Sequence, residues 1–439
     1  MSLHRRFWSY VAVGALSASA LPLVRFFLHL LKRTPNSLVF SSPLQTCLPD
    51  LPAESLLKLP YPPQGFLPGV RDVDSPYGRV RVYEWGPEDA SRKVVLLHGI
   101  STSSPSLASV AEKLVQSGCR VMLFDLFGRG WSGGPSDLPY DSRLCATQIF
   151  LALASSPISW TGKARSGGRL RFSLVGYSLG GGLAADFTSW FPDLVEDLVL
   201  IAPGGLVRES HISLRSKIVY SRGYLPEDIL AWWVRRSMQS VDSVAPEDAQ
   251  SDEVETAINA ELPERSTPHS GMPRLASGRA IDVNGTVNWQ LNNNKGFVPS
   301  FMSSIRHAPI HGQHARWALI GRRLTSKKAQ EMRDTVGKTQ TAAPRLGLTP
   351  TGEDEPRSTD VATAAPGAGL ASGAVLLILG ANDPIVLKHE IVPDTQTAMG
   401  QDNVKVHVVA AAGHEVPMTH AAEVSQTILD VWSSVKPVS

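Results

Sequence analysis

Charge is scarce in this chain of 439 residues. Only 19% are Asp, Glu, Lys or Arg, and 42 basic against 40 acidic side chains leave a formal net charge of +2. A nucleic-acid surface would need a concentration of positive charge, so no nucleic-acid partner is expected. Cysteine is scarcer still. Cys47, Cys119 and Cys145 are the complete set, too few for a disulfide framework and without the spacing of a metal site, so no bound metal is expected. Acidic residues are missing altogether before Asp50. What the chain does have is apolar bulk: 43% hydrophobic residues suffice to bury a large core.

The acid-free N-terminus carries Arg5 and Arg6, followed by an uncharged run from Phe7 to Val24. That length meets the lower limit for a membrane-spanning helix. Residues 1–33 are therefore expected to form a single-pass anchor on an endomembrane, with the membrane as a partner. Two alternatives stay open. Ser17-Ala18-Ser19-Ala20 is a possible cleavage site for a secreted protein, and the lack of acid with many Ser and Arg suits a mitochondrial presequence. A peripheral helix on one leaflet is a milder form of the anchor.

Residues 34–76 repeat proline without periodicity and read as a linker. Regular structure is expected from Gly78. Arg79 to Trp85 alternates polar and apolar residues, as an edge or half-exposed strand does. Lys93 to Leu97, Val121 to Phe124, Phe172 to Val175, Leu198 to Ala202, Val375 to Leu379 and Val404 to Val409 are short apolar runs suited to buried parallel strands. Helix-compatible stretches alternate with them, which implies an α/β sheet with right-handed crossovers. Residues 77–205 and 373–439 form the two parts of this core. Between them, residues 206–325 are expected to be a helical insertion, with Tyr224 to Met238 and Phe297 to His307 helical and Trp232-Trp233 either lining a pocket or, as the preferred reading, packing its own interior. Residues 326–372, like Pro263 to Gly278, are rich in Pro, Gly, Thr and charge, and read as low-complexity loops.

One stretch carries chemistry. Phe172 to Gly182, FSLVGYSLGGG, is an apolar strand, a G-x-S-x-G turn and the start of a helix. Gly176 and Gly180 lack the Cβ atoms that would clash where a strand reverses into a helix, and the turn exposes the Ser178 hydroxyl. A serine needs a base, an orienting acid and oxyanion donors. Twelve histidines compete for the first role. His414 follows the strand Val404 to Val409, on the loop at the same sheet edge as Ser178. His98 also ends a strand there and is assigned a structural role. The strand Val375 to Leu379 leads into Gly380-Ala381-Asn382-Asp383-Pro384, whereas the strand before it ends in Pro203-Gly204-Gly205 without a carboxylate. Asp383 is thus the orienting acid. Asp125, close to Arg129, reads as a hydrogen-bonded turn residue. The backbone N–H groups of Leu179 and Ile100 are the expected oxyanion donors.

In order, HGIS, FDLFGRGWSGGP, GYSLGGG, GANDP and AGHEVP resemble the α/β-hydrolase superfamily, in the branch with a helical lid between strands six and seven. The likeness spans roughly Gly78 to Val435. It implies a mostly parallel central sheet flanked by helices, the chain order Ser178, Asp383, His414, and hydrolysis through an acyl-serine without metal or organic cofactor. Serine at the elbow argues against epoxide hydrolases and haloalkane dehalogenases, which carry aspartate there. The HGIS loop in place of HGGG looks more like the monoacylglycerol-lipase, carbon-carbon hydrolase and proline-iminopeptidase relatives. The expected substrate is a small hydrophobic ester, lipid-like or acyl. Thioester, amide or carbon-carbon cleavage and acyl transfer use the same three side chains and stay open, as does a non-catalytic protein that binds a small hydrophobic ligand. Nothing in the sequence sets an oligomeric state.

Overall fold

The computed structural model describes residues 37–60, 62–163, 169–208, 227–240, 282–341 and 370–434. Eight strands form the main sheet: β1 (Val70–Val73), β2 (Val80–Trp85), β3 (Lys93–Leu97), β4 (Arg120–Phe124), β5 (Phe172–Tyr177), β6 (Val195–Ile201), β7 (Val375–Gly380) and β8 (Val404–Val409). Their spatial order is β8-β7-β6-β5-β3-β4-β2-β1. β3 to β8 pair in parallel, and β2 is antiparallel to both β4 and β1. The order reverses at β3, so a crevice opens beyond the carboxyl ends of β3 and β5, where α/β sheets place their sites.

Helices cover both faces. They are α1 (Ala108–Gln116), α2 (Ser142–Ala154), α3 (Leu179–Trp190), α4 (Glu227–Ser240), α5 (Val283–Asn293), α6 (Phe297–His307), α7 (His314–Thr341), α8 (Lys388–Met399) and α9 (Ala421–Ser433). Strand residues alternate between two cores. Val94 and Leu96 join Val110 of α1 and Ile428 of α9. Val95 and Leu97 join Ile149 of α2 and Leu183 of α3 on the other face. Burial on both sides is why β3 to β7 are continuous apolar runs rather than alternating ones.

The structure corrects three expectations. First, Arg79 to Trp85 is not half-exposed: β2 is buried from Val80 to Glu84. Its charges are accommodated because Arg81 pairs with Asp72, while Glu84 meets Arg71 and Arg120. Second, regular structure starts upstream of Gly78. β1 lies inside the segment 34–76, and Val39–Phe40 pairs with Gly134–Pro135. A four-residue strand of mixed polarity held by backbone bonds leaves little trace in a hydrophobic pattern. Third, α7 runs through Ser326 to Thr341, into the stretch read as a loop. Trp317, Ile320 and Leu324 bury its first half. Beyond them Lys, Gln, Glu, Met and Arg favour helix without an apolar stripe, so periodicity gives no warning.

Phe297–His307 is helical as expected, and of the stretch Tyr224 to Met238 the described part, from Glu227, lies in α4, while residues 224–226 fall outside the described residues. Trp232 faces outward with 63% exposure, so only Trp233 packs against the core as expected of the pair. The expected anchor in residues 1–33 and the loop Pro263 to Gly278 lie outside the described residues. Among the described residues no helix is long and apolar enough to cross a membrane.

Candidate active site

β5 enters the site and α3 leaves it through one residue. Ser178 adopts φ 53° and ψ −121°, a left-handed conformation costing about 1–3 kcal/mol for a residue with a side chain. The surroundings hold it there. Its N–H donates to the Ile201 carbonyl at 3.0 Å, and its carbonyl accepts from Gly204 at 2.8 Å and Gly181 at 2.9 Å. The flanking glycines are required sterically. A Cβ on Gly176 would lie 2.2 Å from the Gly180 carbonyl oxygen, and one on Gly180 would lie 2.2 Å from that of Leu97.

Asp383 sits on the turn after β7 and His414 on the loop after β8. The Asp383 Oδ1 accepts the N–H groups of Ile385 and Val386, each at 2.8 Å. Its Oδ2 is thereby aimed at His414 Nδ1, 2.8 Å away. An ionised carboxylate only accepts, so Nδ1 carries the proton and Nε2 is left as the acceptor. Nε2 lies 3.0 Å from Ser178 Oγ. All three side chains are buried, and the Tyr177 ring packs beside the imidazole at 5.5 Å. The Asp-Pro-Ile-Val turn that clamps Asp383 was not read from the sequence, although an Asp with two N–H donors following it is the signature of such a turn.

His98 is also buried at this edge, and its partners differ. Nδ1 donates to the Gly99 carbonyl and Nε2 accepts the Leu126 N–H, both at 2.8 Å. Burial, with the nearby Arg129 charge, pushes its pKa down to about 3. This neutral ring ties the loop after β3 to the loop after β4. Asp125 likewise accepts from the Ser104 N–H and hydroxyl and from the Trp131 N–H, as a turn residue does. Burial raises its pKa against those bonds.

Leu179 opens α3, where the first N–H groups have no acceptor within the helix. Ile100 lies on the loop leaving β3, next to β5 in the sheet. The close approach of Gly180 to Leu97 and His98 brings that loop against the start of α3. A narrow crevice lined by Leu144, Cys145, Leu183, Tyr140 and Ala308 reaches Leu179. It shares Tyr140 and Asp141 with an open groove of about 710 Å³ between the loop 135–143 and α6. Among the described residues no group of three or more His, Cys, Asp or Glu is arranged to hold a metal.

A strained serine between a parallel strand and a helix, bonded through histidine to aspartate at one sheet edge, defines the nucleophile-elbow class of α/β proteins. The sequence profile of the alpha/beta hydrolase family matches residues 94–427, and the chain belongs to that family. An uncharacterised protein of Mycobacterium tuberculosis is 33% identical over 122 residues, covering 28% of this chain and 32% of that protein. A serine hydrolase-like protein of Dictyostelium discoideum is 27% identical over 135 residues, covering 30% and 34%. The matched regions thus span about a third of the length of these curated relatives. The crystal structure of a membrane phospholipase A superposes with a TM-score of 0.52 at 14% identity, covering 99% of this chain and all of that one. At that identity the likeness concerns the fold.

Proposed function

We propose that the protein is a serine hydrolase that cleaves a small hydrophobic carboxylic ester. The observation that carries the reading is the buried chain of contacts Asp383–His414–Ser178, at 2.8 Å and 3.0 Å. In the acylation step Ser178 Oγ attacks the ester carbonyl carbon while its proton passes to His414 Nε2. The Leu179 and Ile100 N–H groups stabilise the oxyanion; each such donor is worth about 100-fold or more in rate. As the tetrahedral intermediate collapses, the ester C–O bond breaks and the leaving alcohol takes the proton from Nε2. Water then attacks the acyl-serine, gives a proton to Nε2, and the acid departs as Ser178 recovers its own. Asp383 keeps the imidazole in the required tautomer throughout.

In this reading α4 to α6 act as a lid over the carboxyl edge of the sheet and select the substrate. The groove and crevice described above are the approach to Leu179. The hydrophobic substrate is supported by Leu144, Leu179 and Leu183 in the crevice, beside the polar Arg129, Asp141, Gln148 and Ser304, and the apolar N-terminal run suits an enzyme held at a membrane.

A fluorophosphonate probe tests the nucleophile. The parent protein is expected to label and Ser178→Ala to remain unlabelled; equal labelling of both removes the assignment. The substrate class is tested with p-nitrophenyl esters of increasing chain length, a monoacylglycerol, an acyl thioester and a peptide p-nitroanilide. Faster turnover of the thioester or the anilide than of every ester replaces the ester reading with thioester or amide cleavage.

A further inference from the structure

The loop that carries the Ile100 N–H is held largely from outside the strand it leaves. Three successive carbonyls of that loop each accept a side-chain donor. Gly99 accepts His98 Nδ1 at 2.8 Å, Ile100 accepts Arg129 Nε at 3.1 Å, and Ser101 accepts Gln290 Nε2 at 3.4 Å. Gln290 belongs to α5, in the insertion. Arg129 belongs to the loop after β4, but the far end of its guanidinium also reaches the insertion. Its Nη2 donates to Ser304 Oγ of α6 at 2.8 Å and lies 3.4 Å from the Ser300 carbonyl, while Nη1 donates to Phe127 O at 3.1 Å.

The contact between the loop after β4 and the insertion is close and buried. Arg129 is 1% exposed and Gln290 wholly buried. Gln290 Oε1 accepts the Gly130 N–H at 2.5 Å, and Asn294 Nδ2 donates to Gly130 O at 3.2 Å. A Cβ on Gly128 would lie 2.4 Å from Ser300 Oγ, so the Ser300 side chain rests directly on the Gly128 backbone. A buried arginine has several N–H groups to satisfy, and its rigid planar fork fixes the directions in which it does so. Here that fork spans the Ile100 carbonyl on one side and α6 on the other. The peptide that carries the Ile100 N–H is held at Gly99 O by His98, and the two peptides that follow are held by Arg129 and Gln290, so the loop cannot shift without breaking a bond to a buried cation, which is worth more than a neutral one.

We infer that Arg129 and Gln290 are positioning residues through which the helical insertion holds in place the loop that carries the Ile100 N–H, so that the insertion governs the rate of the chemical step as well as the choice of substrate. This inference rests on the reading of Ser178 as nucleophile and Ile100 as oxyanion donor. An element that fixes a donor used only when charge develops on the substrate oxygen acts on kcat rather than KM.

The test compares the parent with Arg129→Lys, Gln290→Met and Ser304→Ala, the last of which removes the shorter of the two contacts from Arg129 to α6. Each preparation is titrated with a fluorophosphonate so that turnover of p-nitrophenyl butyrate is expressed per reactive serine. Thermal midpoints are recorded alongside. The expected result is a 10- to 100-fold fall in kcat per labelled site for Arg129→Lys and at least a threefold fall for Gln290→Met and Ser304→Ala, with KM within threefold of the parent. An alkylboronic acid, which mimics the tetrahedral intermediate, should weaken in parallel. A purely structural role would lower the thermal midpoint and the labelled fraction but leave turnover per labelled site unchanged. That outcome, or a loss under threefold in every variant, overturns the inference. If Arg129→Lys is insoluble, the other two variants decide by the same readout. Failure of the parent itself to label at Ser178 instead removes the nucleophile reading, and the positioning role with it.

Discussion

His98 and His414 are both buried at the carboxyl edge of the sheet, and their partners separate their work. His414 stands between a carboxylate and a hydroxyl, so its Nε2 can take a proton and return it. His98 stands between a carbonyl and an N–H, which requires the neutral ring with its proton on Nδ1. Its folded pKa of about 3 lies below the ordinary imidazole value of about 6.5. Below that ordinary value the unfolded chain binds a proton that the native ring refuses, so acid favours unfolding. His98 stability is thus intact above about pH 6.5 and is lost as pH falls toward about 3. We expect urea midpoints of the parent to decline over this window, and those of His98→Asn to decline less by the equivalent of one proton; equal slopes would show that His98 does not titrate there. For the proposed catalytic set, Asp383→Asn should lower kcat about 10,000-fold with little change in KM, because the amide favours the wrong tautomer. Steady-state kinetics on p-nitrophenyl butyrate would reveal it, and a loss under tenfold would count against Asp383 as the orienting group. The resemblance and the chain order were enough to pick out these three side chains. The clamp on Asp383 is local and could have been read from its turn, whereas the opposite bonding of the two histidines needed coordinates, since partners such as Leu126, Asp383 and Ser178, 28 to 236 residues away, leave no local sequence signal.

Among the elements, α7 shows how one helix can be stabilised by what it touches rather than by its own pattern. Gly321 faces α8, and a Cβ there would lie 2.1 Å from the Met399 carbonyl oxygen. Asn403 Nδ2 bonds Gly321 O, Thr325 Oγ1 and Met399 O, closing the same contact with polar groups. An alanine inside a helix is ordinarily favoured over glycine by about 1 kcal/mol. At this position overpacking against backbone costs about 1–3 kcal/mol or more, so the sign should reverse. Gly321→Ala is expected to lower the thermal midpoint; a rise would mean that α7 and α8 separate easily. The turn from β5 to α3 behaves alike at higher stakes. Gly180→Ala puts its methyl against the Leu97 and His98 carbonyls, and we expect a destabilisation above about 3 kcal/mol, read as loss of soluble protein or a sharply lowered urea midpoint. β2 shows the reverse difficulty of reading. Its alternation of charge and apolar residues suggests an exposed face, whereas Asp72 and Pro63 O satisfy the buried Arg81, and Arg71, Arg120, Ser156 and Trp160 satisfy the buried Glu84.

Over the whole molecule, the chain enters the described fold at Ser37, beside the ribbon Val39–Phe40 and Gly134–Pro135. Phe40 and Pro135 also line the groove of about 710 Å³. An apolar segment ending there would hold the proposed substrate approach close to whatever surface it occupies. If residues 1–33 anchor the protein, carbonate extraction should leave the full chain in the membrane pellet and release a chain lacking those residues, with fluorophosphonate labelling intact in both. Release of the full chain, or a mature protein that begins after Arg33, would replace the anchor with a peripheral or cleaved segment. The sequence by itself determined the parallel α/β order, the elbow and the three residues of the proposed catalytic set, because short apolar runs, glycine sterics and loop positions at strand ends are local properties. Only the tertiary structure decided that β1 and α7 exist where composition suggested linker and loop. It alone joined Arg129, Gln290 and Ser304 to the Ile100 loop. Those bonds link positions up to 189 residues apart, and no pattern within a strand or helix records which distant carbonyl a buried side chain will meet.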